Sequence, residues 1–188
     1  YSFLVWSDIK TGDYDIYLQK FDSEGNLLWQ NGGLPLTASP ELDFNPQIVL
    51  TSDDKIIVSW QTLHYSANYS NYHRAMKLDL EGNILWTTMH ETEIVTHPTR
   101  QVHTLLANDN GGAFIIFKRN QQLKGMNLDQ DGNSIWGETS LAILDAVQEV
   151  TSASINYTAD VGLVIFFEDN DSNLKITRIA ADGSPIWN

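Results

Sequence analysis

The chain has 188 residues, 42% of them hydrophobic and 11% aromatic with 19% charged, which is enough apolar material for a packed core and too little charge for a disordered tail. Twenty-four acidic against 11 basic side chains leave a net charge of −13, a sign that repels phosphate backbones and argues against nucleic acid as a partner. The longest apolar runs, Ala113 to Phe117 and Leu163 to Phe167, are five residues long against the roughly 20 of a spanning helix, so no membrane insertion is expected, and with no cysteine there is no disulfide, thiolate metal site or cysteine nucleophile.

The chain opens on Tyr1 and runs straight into Phe3, Leu4, Val5 and Trp6, without the basic, apolar and small-residue sections of a signal peptide. It is expected to begin inside a structural element and to be a piece of something longer. The apolar run Phe3 to Trp6 is followed by an alternating stretch, Ile16 to Asp22, and then by Gly25, Asn26, Leu27, Leu28 and Trp29. The same order returns in Gln47 to Thr51, Ile56 to Trp60, Ala75 to Asp79 and Gly82 to Trp86. It returns again in His103 to Ala107, Phe114 to Phe117, Met126 to Asp129 and Gly132 to Trp136, and lastly in Ala153 to Thr158, Val164 to Phe167, Ile176 to Asp182 and Gly183 to Trp187. The turn glycines stand 57, 50 and 51 residues apart.

Alternation with period two predicts strands. The short apolar runs, bounded by turn residues such as Ser52, Asp53, Asp54 or Asn108 to Gly112, predict strands buried on both faces. Leu141 to Val147, with apolar residues at 141, 143, 144 and 147, is assigned to a connection. Each unit reads as four antiparallel strands in about 50 residues. A lone sheet cannot bury both faces of its second strand unless other sheets pack on each side. The predicted fold class is therefore all-β: a β-propeller of four-stranded antiparallel blades, three complete and one partial, with further blades of a larger ring outside this chain. The expected divisions are a partial blade at 1–37, a blade with an inserted loop at 38–96, and blades at 97–146 and 147–188. The recurring tryptophan is expected to sit buried between sheets, where about 150–250 Å² of indole at roughly 25 cal/mol per Å² gives about 4–6 kcal/mol each.

The residues Val5, Trp6, Ser7, Asp8, then Gly12, Asp15, Ile16, Tyr17, Leu18, Gln19, then Phe21, Asp22, Gly25, Leu28 and Trp29 resemble the tandem propeller repeats of secreted bacterial surface proteins, many of them exported by the type IX route. Later repeats keep the turn glycine and the final tryptophan, with Arg74 to Met76 and Lys124 to Met126 in place of Asp-Ile-Tyr. The resemblance implies a fold and an extracellular or cell-surface location, and no particular activity. In sialidase Asp-boxes the aromatic follows the glycine after two residues, whereas here three intervene, as in Gly25 to Trp29, which argues against a sialidase. Leu78, Asp79, Gly82, Leu85 and Trp86 are similar to quinoprotein repeats, although no convergent set of quinone and metal ligands accompanies them.

In such up-and-down sheets the short hairpin turns share one end and the longer connections the other, where binding or chemistry is expected. The interval from Trp60 to Trp86 is the longest of its kind, so Leu63 to His73 is read as an insertion. It holds His64, Tyr65, Asn68, Tyr69, Tyr72 and His73, amphipathic rings and amides of the kind that recognise proteins and sugars. Asp169, Asp171 and Asn173 have the alternate spacing of the first calcium ligands in a loop, without the following glycine and late glutamate; no cofactor is expected, calcium at this loop being the exception the spacing leaves open. Motifs of nucleophilic, nucleotide or zinc chemistry are absent. The expected function is a noncatalytic extracellular scaffold whose partner is a surface protein or polysaccharide. The alternatives are a carbohydrate-active enzyme using loop carboxylates and a quinoprotein-like oxidoreductase.

Overall fold

Strands of Val, Ile, Phe and Tyr satisfy their backbone only by pairing with neighbours, and short turns between such strands make the pairing sequential and antiparallel. The computed structural model describes residues 1–10, 12–64, 69–95, 103–119, 122–137, 141–143, 150–169 and 171–187, with the backbone alone at 69–70, 90–95, 119 and 150–152. The described residues contain fifteen strands and no helix. The first sheet is β1 (Ser2–Asp8), β2 (Asp15–Phe21) and β3 (Leu34–Pro35); the second is β4 (Leu42–Leu50), β5 (Ile56–His64), β6 (Tyr69–Leu78) and β7 (Ile84–Val95). The third is β8 (His103–Ala107), β9 (Ala113–Arg119), β10 (Gln122–Leu128) and β11 (Leu141–Ala142); the fourth is β12 (Val150–Thr158), β13 (Gly162–Asp169), β14 (Leu174–Ile179) and β15 (Pro185–Trp187). In every sheet the strands lie side by side in chain order. The all-β class, the four-stranded units and the incomplete first one stand as expected from the sequence.

The chain forms two compact units, Tyr1–Ile48 with Ile56–Arg100 and Val49–Lys55 with Gln101–Asn188. Within the first unit the core joins one face of the first sheet to one face of the second. Phe3, Val5, Ile16 and Leu18 come from the first sheet, and Ile56, Val58, Trp60, Met76 and Leu78 from the second. The second unit repeats the arrangement with Leu106, Phe114, Ile116 and Leu123 of the third sheet against Ile155, Tyr157, Leu163, Ile165, Phe167 and Ile179 of the fourth. Within each unit the face that the first or third sheet turns to its partner is the trailing face, and the face that the second or fourth sheet turns back is the leading face; matching register positions in the other sheets take the same names. Because side chains alternate along a strand, each strand supplies both.

In the first three sheets the turn that leads toward the last strand is built the same way, whereas in the fourth Ala180 stands at the aspartate position and only the backbone pattern is kept, with the Gly183 N–H donating to Ala180 O at 2.9 Å. Asp79 accepts hydrogen bonds from the backbone N–H of Glu81 and Asn83 and from Asn83 Nδ2, at 3.0, 2.8 and 2.8 Å. Asp22 does the same with Glu24 and Asn26, and Asp129 with Asp131 and Asn133. The turn glycine then takes a positive φ, 92° at Gly82 and 89° at Gly183, which glycine adopts without the Cβ penalty.

On that turn rests the tryptophan of the preceding sheet. A Cβ on Gly82 would lie 3.3 Å from Trp29, and one on Gly183 would lie 3.2 Å from Trp136 Nε1. Trp136 Nε1 also donates to Ala181 O at 2.8 Å. Beside the indole, Lys20 Nζ donates to Leu80 O at 2.7 Å in the first unit and Asn127 Nδ2 to Ala181 O at 2.9 Å in the second. Lys20 and Asn127 both stand five residues before their own turn glycine, so the two junctions repeat position by position.

Four expectations need correction. Trp29 and Trp136 lie beyond their turns outside any strand, and the sheet resumes only at β3 and β11, because Leu27 and Ser134 make single bridges to Phe21 and Leu128 before the chain detours around the indole. Leu141, assigned to a connection, opens β11, while 144–147 lie outside the described residues. The tryptophans are not fully buried: Trp29, Trp86 and Trp136 are partly covered and Trp187 is 44% exposed, so the full-burial figure is an upper limit. Burial on both faces holds for Ile56–Trp60 and Ala113–Phe117 but not for β1 and β13, where Leu4 and Phe166 are 53% and 42% exposed.

Candidate functional site

The chain leaving β3 passes through Leu36, Thr37, Ala38 and Ser39, and these residues line a cleft of about 330 Å³ in the first unit. The rest of the lining comes from the second sheet: Asp43 of β4, Trp60 of β5, Arg74 and Met76 of β6, and Thr87, Thr88 and Met89 of β7. The linker between sheets belongs to the long-connection end of the strands, the end expected to carry function.

Asp43 is buried, 2% exposed. Its Oδ1 accepts the indole N–H of Trp60 at 3.0 Å and the hydroxyl of Thr62 at 2.5 Å. Trp60 and Thr62 are two apart on β5 and so face the same way, which lets one carboxylate on the neighbouring strand serve both donors. Burial pushes the Asp43 carboxyl above its ordinary range, and the hydrogen bonds from Thr62, Thr37 and Trp60 and the Arg74 charge pull against it. Thr37 also accepts from the Ile16 N–H at 2.9 Å, and its hydroxyl lies 3.2 Å from Asp15 Oδ1, so one hydroxyl proton is shared between two buried carboxylates.

A raised carboxyl makes the folded state the better proton binder, so its stabilising contribution is complete below the unfolded pKa and is lost as pH rises through the folded one. Asp43→Asn keeps the acceptor and removes the charge. Its melting temperature at neutral pH is expected to equal or exceed that of the parent and to lose the decline that accompanies rising pH through the raised Asp43 pKa. Asp43→Ala leaves the Trp60 and Thr62 donors buried and unpaired, at a cost of about 1–3 kcal/mol. Thermal melts of the three proteins across pH check both statements.

Arg74 is directly across from Trp60 in the β5–β6 register. Its Nη2 donates to Glu41 Oε2 at 2.6 Å, and Glu41 Oε1 meets His64 Nδ1 at 2.9 Å. Glu41 therefore holds a guanidinium at the cleft with one oxygen and an exposed imidazole with the other. Among the described residues Arg74 Nε is a buried donor without a hydrogen-bond partner, and such a donor is costly to leave unpaired.

The residues singled out from the sequence divide. The presumed insertion is a prolongation of the β5–β6 hairpin, paired as Gln61 with His73, Thr62 with Tyr72, Leu63 with Asn71 and His64 with Ser70. Tyr65 and Asn68 lie outside the described residues, and Tyr69 is described by its backbone in β6. His64 and Tyr72 share a sheet face with Trp60 and Arg74. His73 is 1% exposed on the opposite face, beside the buried Gln61 and Asn71. Strand alternation separates what proximity in sequence suggested was one cluster. Asp43, Glu41, Thr37 and Arg74 went unnoticed in the sequence. A usable signal was present: two buried donors at alternate positions, Trp60 and Thr62, require an acceptor from the adjoining strand.

Asp169, Asp171 and Asn173 form the turn between β13 and β14. Asp169 Oδ1 accepts from the N–H of Asp171 and Asn173 at 3.0 and 2.9 Å, and Oδ2 pairs with Lys175 Nζ at 2.8 Å. Among the described residues no group of three or more His, Asp or Glu side chains is placed to hold a metal ion. The Lys175 contact, the Asn173 backbone N–H and the Asn173 side chain hold the Asp169 carboxyl down at about 2. A depressed carboxyl contributes stability that is present above the unfolded pKa and is lost as pH falls through the folded one. Melting temperature is expected to fall as the pH is lowered from about 5 to about 2, and less steeply in Asp169→Asn.

No family model matches the chain, and no curated protein matches it in sequence.

Proposed function

We propose that this protein is a noncatalytic propeller-type scaffold of the cell exterior, its sheets serving as blades, and that the cleft beside Asp43 receives one sugar residue of a surface polysaccharide. The observation that carries the reading is the cleft's lining. The cleft is lined by the hydroxyl-bearing Thr37, Ser39, Thr87 and Thr88, by Asp43 and by Arg74, whose Nε has no partner among the described residues, together with the apolar Leu36, Trp60, Met76 and Met89. Sugar hydroxyls both donate and accept and the faces of the ring are apolar, so a neutral glycan matches such a lining better than a purely apolar or purely charged ligand does. The net charge of −13 further disfavours polyanionic glycans.

A glycan array probed with the chain tests the proposal, with Arg74→Met as the control because it keeps the side-chain stem and removes every donor. Binding to a neutral glycan that weakens at least about tenfold in Arg74→Met, with melting unchanged, supports the reading. Absence of binding to any glycan, or binding indifferent to the substitution, overturns it. A hydrolytic reading is favoured by one observation, a cleft carboxyl whose affinity for its proton is raised, as a general acid requires. Release of reducing ends from the bound glycan, abolished by Asp43→Asn, would decide for it.

A further inference from the structure

The two junctions inside this chain are built from matching halves, and one half of a third is exposed at each end. On the first sheet's trailing face Ile16 and Leu18 are both 0% exposed, and on the third sheet's Phe114 and Ile116 are 0% and 1% exposed. The fourth sheet has the same positions. By strand register, Phe166 opposite Ile176 matches Val5 opposite Leu18, and Val164 opposite Arg178 matches Phe3 opposite Lys20. Yet Leu174 is 78% exposed, Ile176 45%, Phe166 42% and Trp187 44%. Contiguous apolar surface of this kind marks an interaction site.

The complementary half is on the first sheet. Leu4 occupies the leading-face position that Val58 and Ile165 hold in the second and fourth sheets; those two are 0% exposed and Leu4 is 53% exposed. Around Gly82 and Gly183 a Cβ would meet the preceding tryptophan, whereas around Gly25 it would meet nothing within 4 Å. Among the described residues, then, Gly25 is a turn glycine without its indole and Trp187 an indole without its glycine.

Charge fits as well. In the first unit Lys20 donates into the turn Asp79–Leu80–Glu81–Gly82. Its counterpart on the fourth sheet, five residues before Gly183, is Arg178, whose guanidinium lies 5.7 Å from the Trp187 ring. Arg178 uses Nε on Val161 O and one Nη on Asp160 O at 3.4 Å, which leaves further donors. The vacant turn is Asp22–Ser23–Glu24–Gly25, acidic like the one that receives Lys20.

We propose that the trailing face of the fourth sheet docks onto the leading face of the first sheet of a second copy of this chain, with Trp187 seated on Gly25 and Arg178 directed at the Asp22–Glu24 turn. The contact joins two different surfaces, so it is heterologous and can propagate from copy to copy. Trp and Arg at its centre are the residue types that dominate association energy.

Sedimentation velocity of the chain from micromolar to near-millimolar concentration tests this. The wild-type mass is expected to rise with concentration, and Trp187→Ala and Glu24→Arg each to weaken association by at least about tenfold. Both positions are exposed, so both variants should fold. Mixing the two is the discriminating arm: Trp187→Ala keeps an intact first sheet and Glu24→Arg an intact fourth, so together they form a one-to-one complex that neither forms alone. Amide exchange of the wild type supplies a readout free of substitutions, with protection rising with concentration in both β14–β15 and the 22–26 turn. A chain that stays single at every concentration overturns the proposal and leaves the face to a different partner. Association that survives Trp187→Ala, a mixture that does not pair, or protection confined to one of the two surfaces overturns it equally.

Discussion

Gly112→Ala is expected to destabilise the second unit by about 3 kcal/mol or more, above the usual cost of overpacking. Gly112 sits where the β8–β9 hairpin meets the end of β10, and a Cβ there would lie 1.9 Å from Leu128 O and 2.8 Å from the Asp129 carbonyl. The obstacle is backbone, which no rotamer change can relieve. Around it Asn108 donates through Nδ2 to Asn127 Oδ1 and Leu128 O, both at 2.8 Å, while its Oδ1 accepts the Gly112 N–H, also at 2.8 Å. Moving the backbone to admit a methyl would break this buried network as well. The fourth sheet repeats the constraint: a Cβ on Gly162 would lie 2.4 Å from Ile179 O. Gly137 gives the control, since it has a φ of 98° but nothing within 4 Å of its Cβ position; Gly137→Ala should cost only about 1 kcal/mol of backbone strain. Urea midpoints of Gly112→Ala and Gly137→Ala check the order. A Gly112→Ala protein no less stable than Gly137→Ala would mean that the hairpin does not approach β10 as described.

The strands were legible because their signal is local. Alternation in Ile16 to Asp22, unbroken apolar runs such as Ile56 to Trp60, and an Asp-to-Gly turn at a near-constant interval each report on the chain within ten residues of themselves. Where strands end depends on the partner strand, which is not local. Nothing in Gln61 to His64 announces that pairing continues to the Ser70 register, so the hairpin looked like an insertion. Trp29 and Trp136 rest on the turn of the next sheet, as anchors between sheets should, but leave the ladder to do so, whereas Trp86 and Trp187 stand in β7 and β15 as the alternation predicts. The cleft was the least legible feature. Asp43 is one carboxylate among 24 acids, and only the tertiary placement of Trp60, Thr62 and Thr37 around it distinguishes it from a surface group. The division of His64 and Tyr72 from His73 was available in principle from period two, but only once the segment was known to be a strand.

Phe114→Ala is expected to be the most damaging truncation in the second unit's core, at about 3–5 kcal/mol. The ring is 0% exposed and stands where both halves of the junction meet, its centroid 4.8 Å from that of Tyr157 and 5.5 Å from that of Trp136. Tyr157 cannot easily move to fill the void, because its hydroxyl is fixed to Asp109 Oδ2 at 2.6 Å; burial and that carboxylate push its pKa up to about 12. Trp136 is held in turn by its bond to Ala181 O. With both neighbours tethered the cavity stays open, which places the loss toward the upper part of the range. Phe114→Leu, which retains most of the volume, should cost less than about 1.5 kcal/mol. Because Phe114 and Trp136 would share one cavity, the double truncation should fall short of the sum of the singles by about 0.5–1.5 kcal/mol. Phe166→Ala in the same unit tests whether burial or ring chemistry sets the scale: with 42% of that residue in solvent, its loss should stay below that of Phe114→Ala. If the two alanine variants unfold at the same denaturant concentration, the third and fourth sheets do not share the core assigned to them.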